Sequence, residues 1–295
     1  MSTIFGKLLT AMVTPFDKDN NIDWEKVKEL ANYLVNNGSD SIVVCGTTGE
    51  SPTLSHDEKL EMFRIVVETV GGRAQVVAGT GSNNTADTVK LSLEAKNMGV
   101  DGIMLVVPYY NKPSQDALYQ HFSHIAQKAD LPILLYNVPS RTGINMLPDT
   151  VARLALLNNI VAVKEAAGDM DQVSELKVKL PENFAVYSGD DSITLPMLAL
   201  GCQGVVSVAS HLVGNDIKEM IDAFDQGDNF RANQIHSNLF PLFKALFITS
   251  NPVPLKAALK LKGINVGALR PPLIEATASE LGVVKETMKK IGLLD

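Results

Sequence analysis

Only two cysteines, Cys45 and Cys202, occur in 295 residues, and both sit in apolar runs. They read as reduced, buried thiols; a disulfide framework and a CxxC metal pattern are excluded. Positive charge is also short: 26 Lys and Arg stand against 33 Asp and Glu, a formal net charge of −7. That balance argues against nucleic-acid or membrane-surface binding, so an anionic substrate needs a local cationic pocket. No apolar run reaches the roughly 18 residues of a membrane span and no signal-peptide pattern is read, so a cytoplasmic protein is expected. Walker A, HExxH and GxSxG motifs are missing. The stretch Gly79-Thr80-Gly81-Ser82-Asn83-Asn84 lacks the third glycine of a dinucleotide fingerprint. His121 and His124 are three apart on a helical pattern, which suits an amphipathic face better than a metal site. Neither a metal nor a cofactor is expected.

What is present is a repeat. Hydrophobic residues make up 45% of the chain and charged residues 20%, enough apolar material for a large core. Short apolar runs alternate with amphipathic stretches. Strands are predicted over 8–14, 41–45, 75–79, 102–107, 132–137, 160–165, 185–188 and 204–208. Helical spacing covers 23–36, 55–70, 85–97 and 115–129. Ser55 with Glu58 forms a capping-box pattern, Asp23 and Ser114 are placed as N-caps, and Gly38, Gly71 and Gly99 fall just past helix ends. Eight such units describe an α/β fold, the (β/α)8 TIM barrel. A doubly wound open sheet is the alternative that the same alternation supports. The last 85 or so residues read as helical, over 214–224, 230–249, 254–262 and 277–291. The expected division is a catalytic barrel over 1–226 and a C-terminal helical appendage over 227–295, packed on the barrel.

The polar residues fall unevenly. In barrels of this kind chemistry occupies the C-terminal strand ends. Those positions carry Gly46-Thr47-Thr48-Gly49-Glu50, Pro108-Tyr109-Tyr110-Asn111, Tyr136-Asn137-Val138-Pro139-Ser140-Arg141, Lys164, Ser188-Gly189-Asp190-Asp191 and Val206. The opposite ends carry nothing comparable. Lys164 stands out because it interrupts a β-branched apolar run, where alternation sets Ala162, Lys164 and Ala166 on one face and Val161, Val163 and Glu165 on the other. A buried lysine tends to shed its proton, and a neutral amine is the nucleophile of Schiff-base chemistry. Snorkelling to solvent or pairing with a carboxylate is the competing reading. The Gly46–Gly49 turn leads towards a helix start, so its N–H groups and two hydroxyls suit a carboxylate. Equally, it is a glycine turn with a capping threonine. Tyr136 places a phenol at the barrel mouth, as a proton donor or as a ring filling the top layer. Arg141 reads as loop, suited to bidentate carboxylate binding or to a surface salt bridge.

On Gly46-Thr47-Thr48-Gly49-Glu50, Tyr109-Tyr110, Tyr136 to Arg141 and Val163-Lys164-Glu165, the whole chain resembles the dihydrodipicolinate synthase family. That family lies within the class I pyruvate-dependent aldolase and N-acetylneuraminate lyase superfamily. The resemblance implies a lyase of lysine and diaminopimelate biosynthesis that condenses pyruvate with L-aspartate 4-semialdehyde. It implies an imine at Lys164 and a proton relay of Tyr136, Thr48 and Tyr110, the last supplied by a neighbouring subunit. Thr47, Thr48 and Val206 match the pyruvate site, Arg141 the semialdehyde carboxylate site, and Gly189 a second-substrate contact. A homodimer or homotetramer follows from the subunit-crossing tyrosine. The regulatory lysine site of sensitive relatives is matched by Ser51, His56, Asn83 and Tyr109. Lys59 replaces a histidine there, Asp87 a glutamate and Pro52 an alanine, and the Lys59 cation should repel a lysine inhibitor. Weak or absent feedback is expected. The sister pyruvate lyases share the imine lysine and the strand-five tyrosine; Arg141 separates this chain from them. A barrel that binds a keto acid without catalysis is the remaining alternative.

Overall fold

The computed structural model describes residues 4–295. Eight strands form in chain order: β1 (Leu8–Ala11), β2 (Ser41–Val44), β3 (Gln75–Gly79), β4 (Gly102–Val106), β5 (Ile133–Asn137), β6 (Ile160–Glu165), β7 (Ala185–Ser188) and β8 (Gly204–Ser207). Each pairs in parallel with the next, and β8 returns to β1 through Leu9 opposite Val206, which closes the barrel. Closure removes the open-sheet alternative. Parallel strands are buried on both faces, which is why their sequences run apolar instead of alternating.

Helices α1 (Trp24–Asn36), α2 (His56–Val70), α3 (Thr85–Asn97) and α4 (Gln115–Ala129) follow the first four strands. Asp23 caps α1 by accepting from the Lys26 amide, and Ser114 caps α4 through Ala117. Ser55 and Glu58 form a reciprocal capping box on α2, which ends at Gly71 in the left-handed conformation. Two short helices follow β5, α5 (Pro139–Thr142) and α6 (Pro148–Leu154). Then come α7 (Met170–Lys179), α8 (Thr194–Ala199) and α9 (Ser210–Asp225). Three more complete the chain: α10 (Asn229–Ala245), α11 (Val253–Leu261) and α12 (Ala278–Lys290). Helix α10 packs on α9, and α12 on α10 and α11.

The core has two layers. Strand faces turned outward join the helices in one large cluster, which continues into Leu239, Leu242, Leu255 and Leu259 of the C-terminal helices. Inside the barrel Leu9, Val43, Val77, Met104, Leu134, Ala162, Ala185 and Tyr187 fill the interior. Phe5 plugs the bottom: a Cβ on Gly102, at the start of β4, would lie 2.7 Å from its ring.

Two local expectations change. Strict alternation puts Val161 on the outer face of β6, yet its side chain packs against the inner cluster. The register explains this, because Ile133 pairs with Ile160 while Leu134 pairs with Ala162, so one extra residue bulges from β6. Above the bulge alternation resumes, and Lys164 points inward. Arg141, expected in a loop, lies in the single helical turn α5, which Pro139 opens and Gly143 ends. Proline presets the dihedral of a first helical position, so four residues suffice.

Candidate active site

Lys164 sits at the C-terminal end of β6, directly opposite Tyr136 of β5 in the register. Its side chain is buried, with residue exposure of 5%. Its Nζ lies 4.1 Å from the centroid of the Tyr136 ring. No carboxylate pairs with it among the described residues. The pairing and snorkelling readings both fail on this geometry. Gly189, just past β7, faces the lysine stem: its amide donates to the Glu165 carbonyl at 2.7 Å, and a Cβ there would lie 3.2 Å from Lys164 Cε and 2.6 Å from Ala166 Cβ. Only glycine leaves that approach open.

Glu165 points the other way, into a buried polar cluster. Asn137 and Gln172 side chains and the Ala167 amide donate to its carboxylate. Burial nonetheless pushes its pKa above the ordinary carboxylate value, against those donors. The cluster ties β5 to β6 behind the reactive face. Asp191, part of the polar strand-seven end, is likewise occupied within the fold. It accepts from Ser207 Oγ at 2.5 Å and from the Val208 and Ala209 amides at 3.0 Å. That clamps the end of β8 one residue beyond Val206, which is buried on the inner face.

The turn from Gly46 to Glu50 is bracketed by two left-handed non-glycine residues, Cys45 (φ 56°) and Glu50 (φ 55°). Such conformations cost about 1–3 kcal/mol each and collect at functional turns. A three-residue helical turn, Ser51–Thr53, stands between this motif and α2, so the motif does not run straight into a long helix. Thr14 Oγ1 donates to the Gly49 carbonyl at 2.7 Å. Thr48 is buried, and its Oγ1 accepts from Asn251 Nδ2 at 2.9 Å. Asn251 lies 203 residues away, at the start of α11, and sequence reasoning missed it; an Asn-Pro pair reads as an ordinary turn. Nearby, Glu50 pairs with the buried Lys256 at 2.7 Å and accepts from the Arg270 amide.

A cavity of about 290 Å³ opens at this end of the barrel, lined among others by Thr47, Tyr136, Arg141, Ser51, Lys59 and Tyr109. Arg141 is exposed and forms no ion pair or hydrogen bond with another described residue through its side chain. The surface-salt-bridge reading therefore fails, and the guanidinium is left for a ligand. Lys59 is half-buried, and burial lowers its pKa. Of the expected regulatory residues, Ser51, Lys59 and Tyr109 line this cavity, His56 pairs with Glu94 at 2.8 Å, and Asn83 and Asp87 stand at the turn into α3. Tyr110 is 89% exposed and in a left-handed conformation (φ 72°), whereas Thr48 and Tyr136 are buried. Both cysteines are free and buried, their thiols pushed up to about 12 by burial. No group of three or more His, Cys, Asp or Glu among the described residues is placed to hold a metal ion. Nor is any described helix long and apolar enough to cross a membrane.

The family profile described as the Dihydrodipicolinate synthetase family matches residues 4–291. The chain belongs to that family. A relative from Desulforamulus reducens, named 4-hydroxy-tetrahydrodipicolinate synthase, is 60% identical over 296 residues, with both chains covered in full. Among solved structures, a dihydrodipicolinate synthase from Bacillus anthracis superposes with a TM-score of 0.95 at 49% identity, covering 98% of this chain and 99% of that one. A family member from Cyanidioschyzon merolae, solved with lysine bound, gives 0.98 at 47%, covering 99% and 100%. Membership makes this chain an enzyme of the family, and the inward lysine at the end of β6 becomes a site to be explained chemically.

Proposed function

We propose that this chain is a lyase that condenses pyruvate with L-aspartate 4-semialdehyde, the reaction for which its curated relatives are named. The observation that carries the reading is Lys164, a buried amine without a carboxylate partner, held against the Tyr136 ring at the barrel mouth. Its Nζ attacks the pyruvate carbonyl carbon. The carbonyl oxygen leaves as water after taking two protons, one from the amine and one through the Tyr136–Thr48 relay. The protonated imine draws electrons from the methyl carbon, which loses a proton to give the enamine. That carbon attacks the aldehyde of the second substrate, whose oxygen takes up a proton. The substrate's own amine then adds to the imine carbon, closes the ring and expels Lys164 as a free amine.

Thr47, Thr48 and Val206 supply the pyruvate end of the site. Arg141 supplies a bidentate partner for the semialdehyde carboxylate, and Gly189 keeps space beside the imine. Tyr110 completes the relay from a second subunit; its exposure and left-handed backbone support that role. A homodimer, or a tetramer of two such dimers, is the assembly this requires. Full turnover by a species that sediments only as a monomer would remove Tyr110 from the relay. Lys59, a cation lining the same cavity, supports weak regulation: L-lysine added well in excess of enzyme should leave the rate nearly unchanged, and strong inhibition would refute this point. The function itself is tested by supplying pyruvate with L-aspartate 4-semialdehyde and, separately, N-acetylneuraminate. Turnover of the first pair alone is expected; cleavage of the sugar acid with no condensation would overturn the assignment.

A further inference from the structure

Asn251 belongs to the C-terminal helical region, yet it reaches the turn that follows β2. Its Nδ2 donates to Thr48 Oγ1 at 2.9 Å, and both residues are buried. A hydroxyl that accepts from an amide cannot aim its own hydrogen back at that amide. The Thr48 hydrogen finds no acceptor among the described residues, so it is left to donate to a reacting group. The other amide atom, Oδ1, is buried without any hydrogen-bond partner. An orphan acceptor costs about 1–3 kcal/mol, and such costs are tolerated where a group is held for function. The amide is also held in place twice over. One turn beyond it, Lys256 bonds Glu50 and the Ala268 carbonyl, each at 2.7 Å, while Arg270 bonds Glu50 through its amide and Glu58 through its guanidinium. Glu50 ends the turn that carries Thr48, and Glu58 lies in the first turn of α2.

We infer that Asn251 is a positioning residue of the relay: by donating to Thr48 Oγ1 it fixes the hydroxyl rotamer and directs the Thr48 proton towards the reacting groups. The inference rests on the proposed function above, with Thr48 as a relay member. It also makes the C-terminal helices part of the active site.

Asn251→Asp keeps the shape and reverses the bond. A carboxylate accepts the Thr48 proton instead of donating to its oxygen, and so takes that proton out of the relay. The expected result is a fall in kcat of about 100-fold, about 2.7 kcal/mol at 1.36 per tenfold, with the KM for pyruvate within about twofold. Borohydride trapping of pyruvate on Lys164 should still go to completion. Once protonated, the carboxyl that Asn251→Asp introduces donates as the amide does, so the gap between wild type and variant should narrow as pH falls. A merely structural role predicts no such narrowing. In a cycle with Thr48→Val, adding Asn251→Asp should cost no more than about twofold, because the two act as one unit. If Asn251→Asp folds poorly, Asn251→Ala carries the same cycle. Wild-type kcat in either variant, a deficit of Asn251→Asp independent of pH, or additive losses with Thr48→Val would each overturn the inference. Failure of wild-type enzyme to trap pyruvate on Lys164 would instead sink the proposed function itself.

Discussion

Lys164 and Lys256 are both buried, at 5% and 4% exposure, one at the end of β6 and the other paired with Glu50 of the threonine-bearing turn. Lys256 is fully engaged: Glu50 at 2.7 Å, the Ala268 carbonyl at 2.7 Å and the Phe16 ring at 4.4 Å surround it. Lys164 has the ring of Tyr136, which itself lines the cavity. Burying an ammonium costs several kcal/mol unless a paired charge offsets it. Lys256 is offset, although burial still outweighs Glu50 and lowers its pKa. The difference teaches that burial alone does not mark a reactive lysine. What marks it is burial without a charged partner, against a phenol that lines an open cavity.

The comparison breaks most visibly through substitution. Lys164→Ala should lower kcat/KM by a factor of at least roughly 10,000, about 5.5 kcal/mol in barrier, while leaving the thermal midpoint within a few degrees. Lys256→Met should act chiefly on stability and leave the covalent step at Lys164 intact. Leaving Glu50 as an unpaired buried carboxylate costs about 3–5 kcal/mol of stability, read as a lower urea midpoint, and Lys256→Met with Glu50→Gln should recover most of it. A third cation sharpens the contrast. Arg141, unpaired like Lys164 but exposed, should on Arg141→Ala raise the KM for the semialdehyde by about 100-fold, about 2.7 kcal/mol, with pyruvate trapping intact. Normal kinetics with the semialdehyde would remove Arg141 from substrate binding.

The smallest effect is on stability against pH. His211 is buried, accepts from the Val13 amide and donates to the Val208 carbonyl, and burial lowers its pKa from 6.5 to about 4. Above pH 6.5 the ring is neutral in both folded and unfolded chains, and its contribution is fully present. Between 6.5 and about 4 the unfolded chain takes up a proton that the folded chain refuses, so stability falls as pH falls. The slope approaches about 1.4 kcal/mol per pH unit per histidine. His121, also lowered to about 4, adds in the same direction, while the raised carboxyls of Glu165 and Asp191 act in the opposite one. Subtracting His211→Gln from wild type isolates the single term: unfolding titrations should differ in slope by close to one proton in that window. Equal slopes would mean that His211 is charged in the fold.

Much of this was legible in the chain because the relevant signals are local. An apolar run with one lysine marks a strand with an inward amine, and capping residues Asp23, Ser55 and Ser114 mark helix starts. Strand order follows from the repeat. What was not legible depends on pairing across the sheet or across the chain. The β6 bulge that turns Val161 inward exists only in the register with β5. The turn that holds Arg141 is too short for helical periodicity to show. Asn251 and Lys256 reach Thr48 and Glu50 only because the C-terminal helices fold back over the barrel mouth, and nothing in a 203-residue separation announces that.

Lys164, and no other lysine, should form the covalent bond with pyruvate. Incubation with pyruvate and sodium borohydride followed by peptide mapping tests it directly. One reduced pyruvyl adduct is expected, on the peptide containing Lys164, lost in Lys164→Ala and kept in Lys256→Met. An adduct on any other lysine, or none at all in a protein that still turns over, would contradict it.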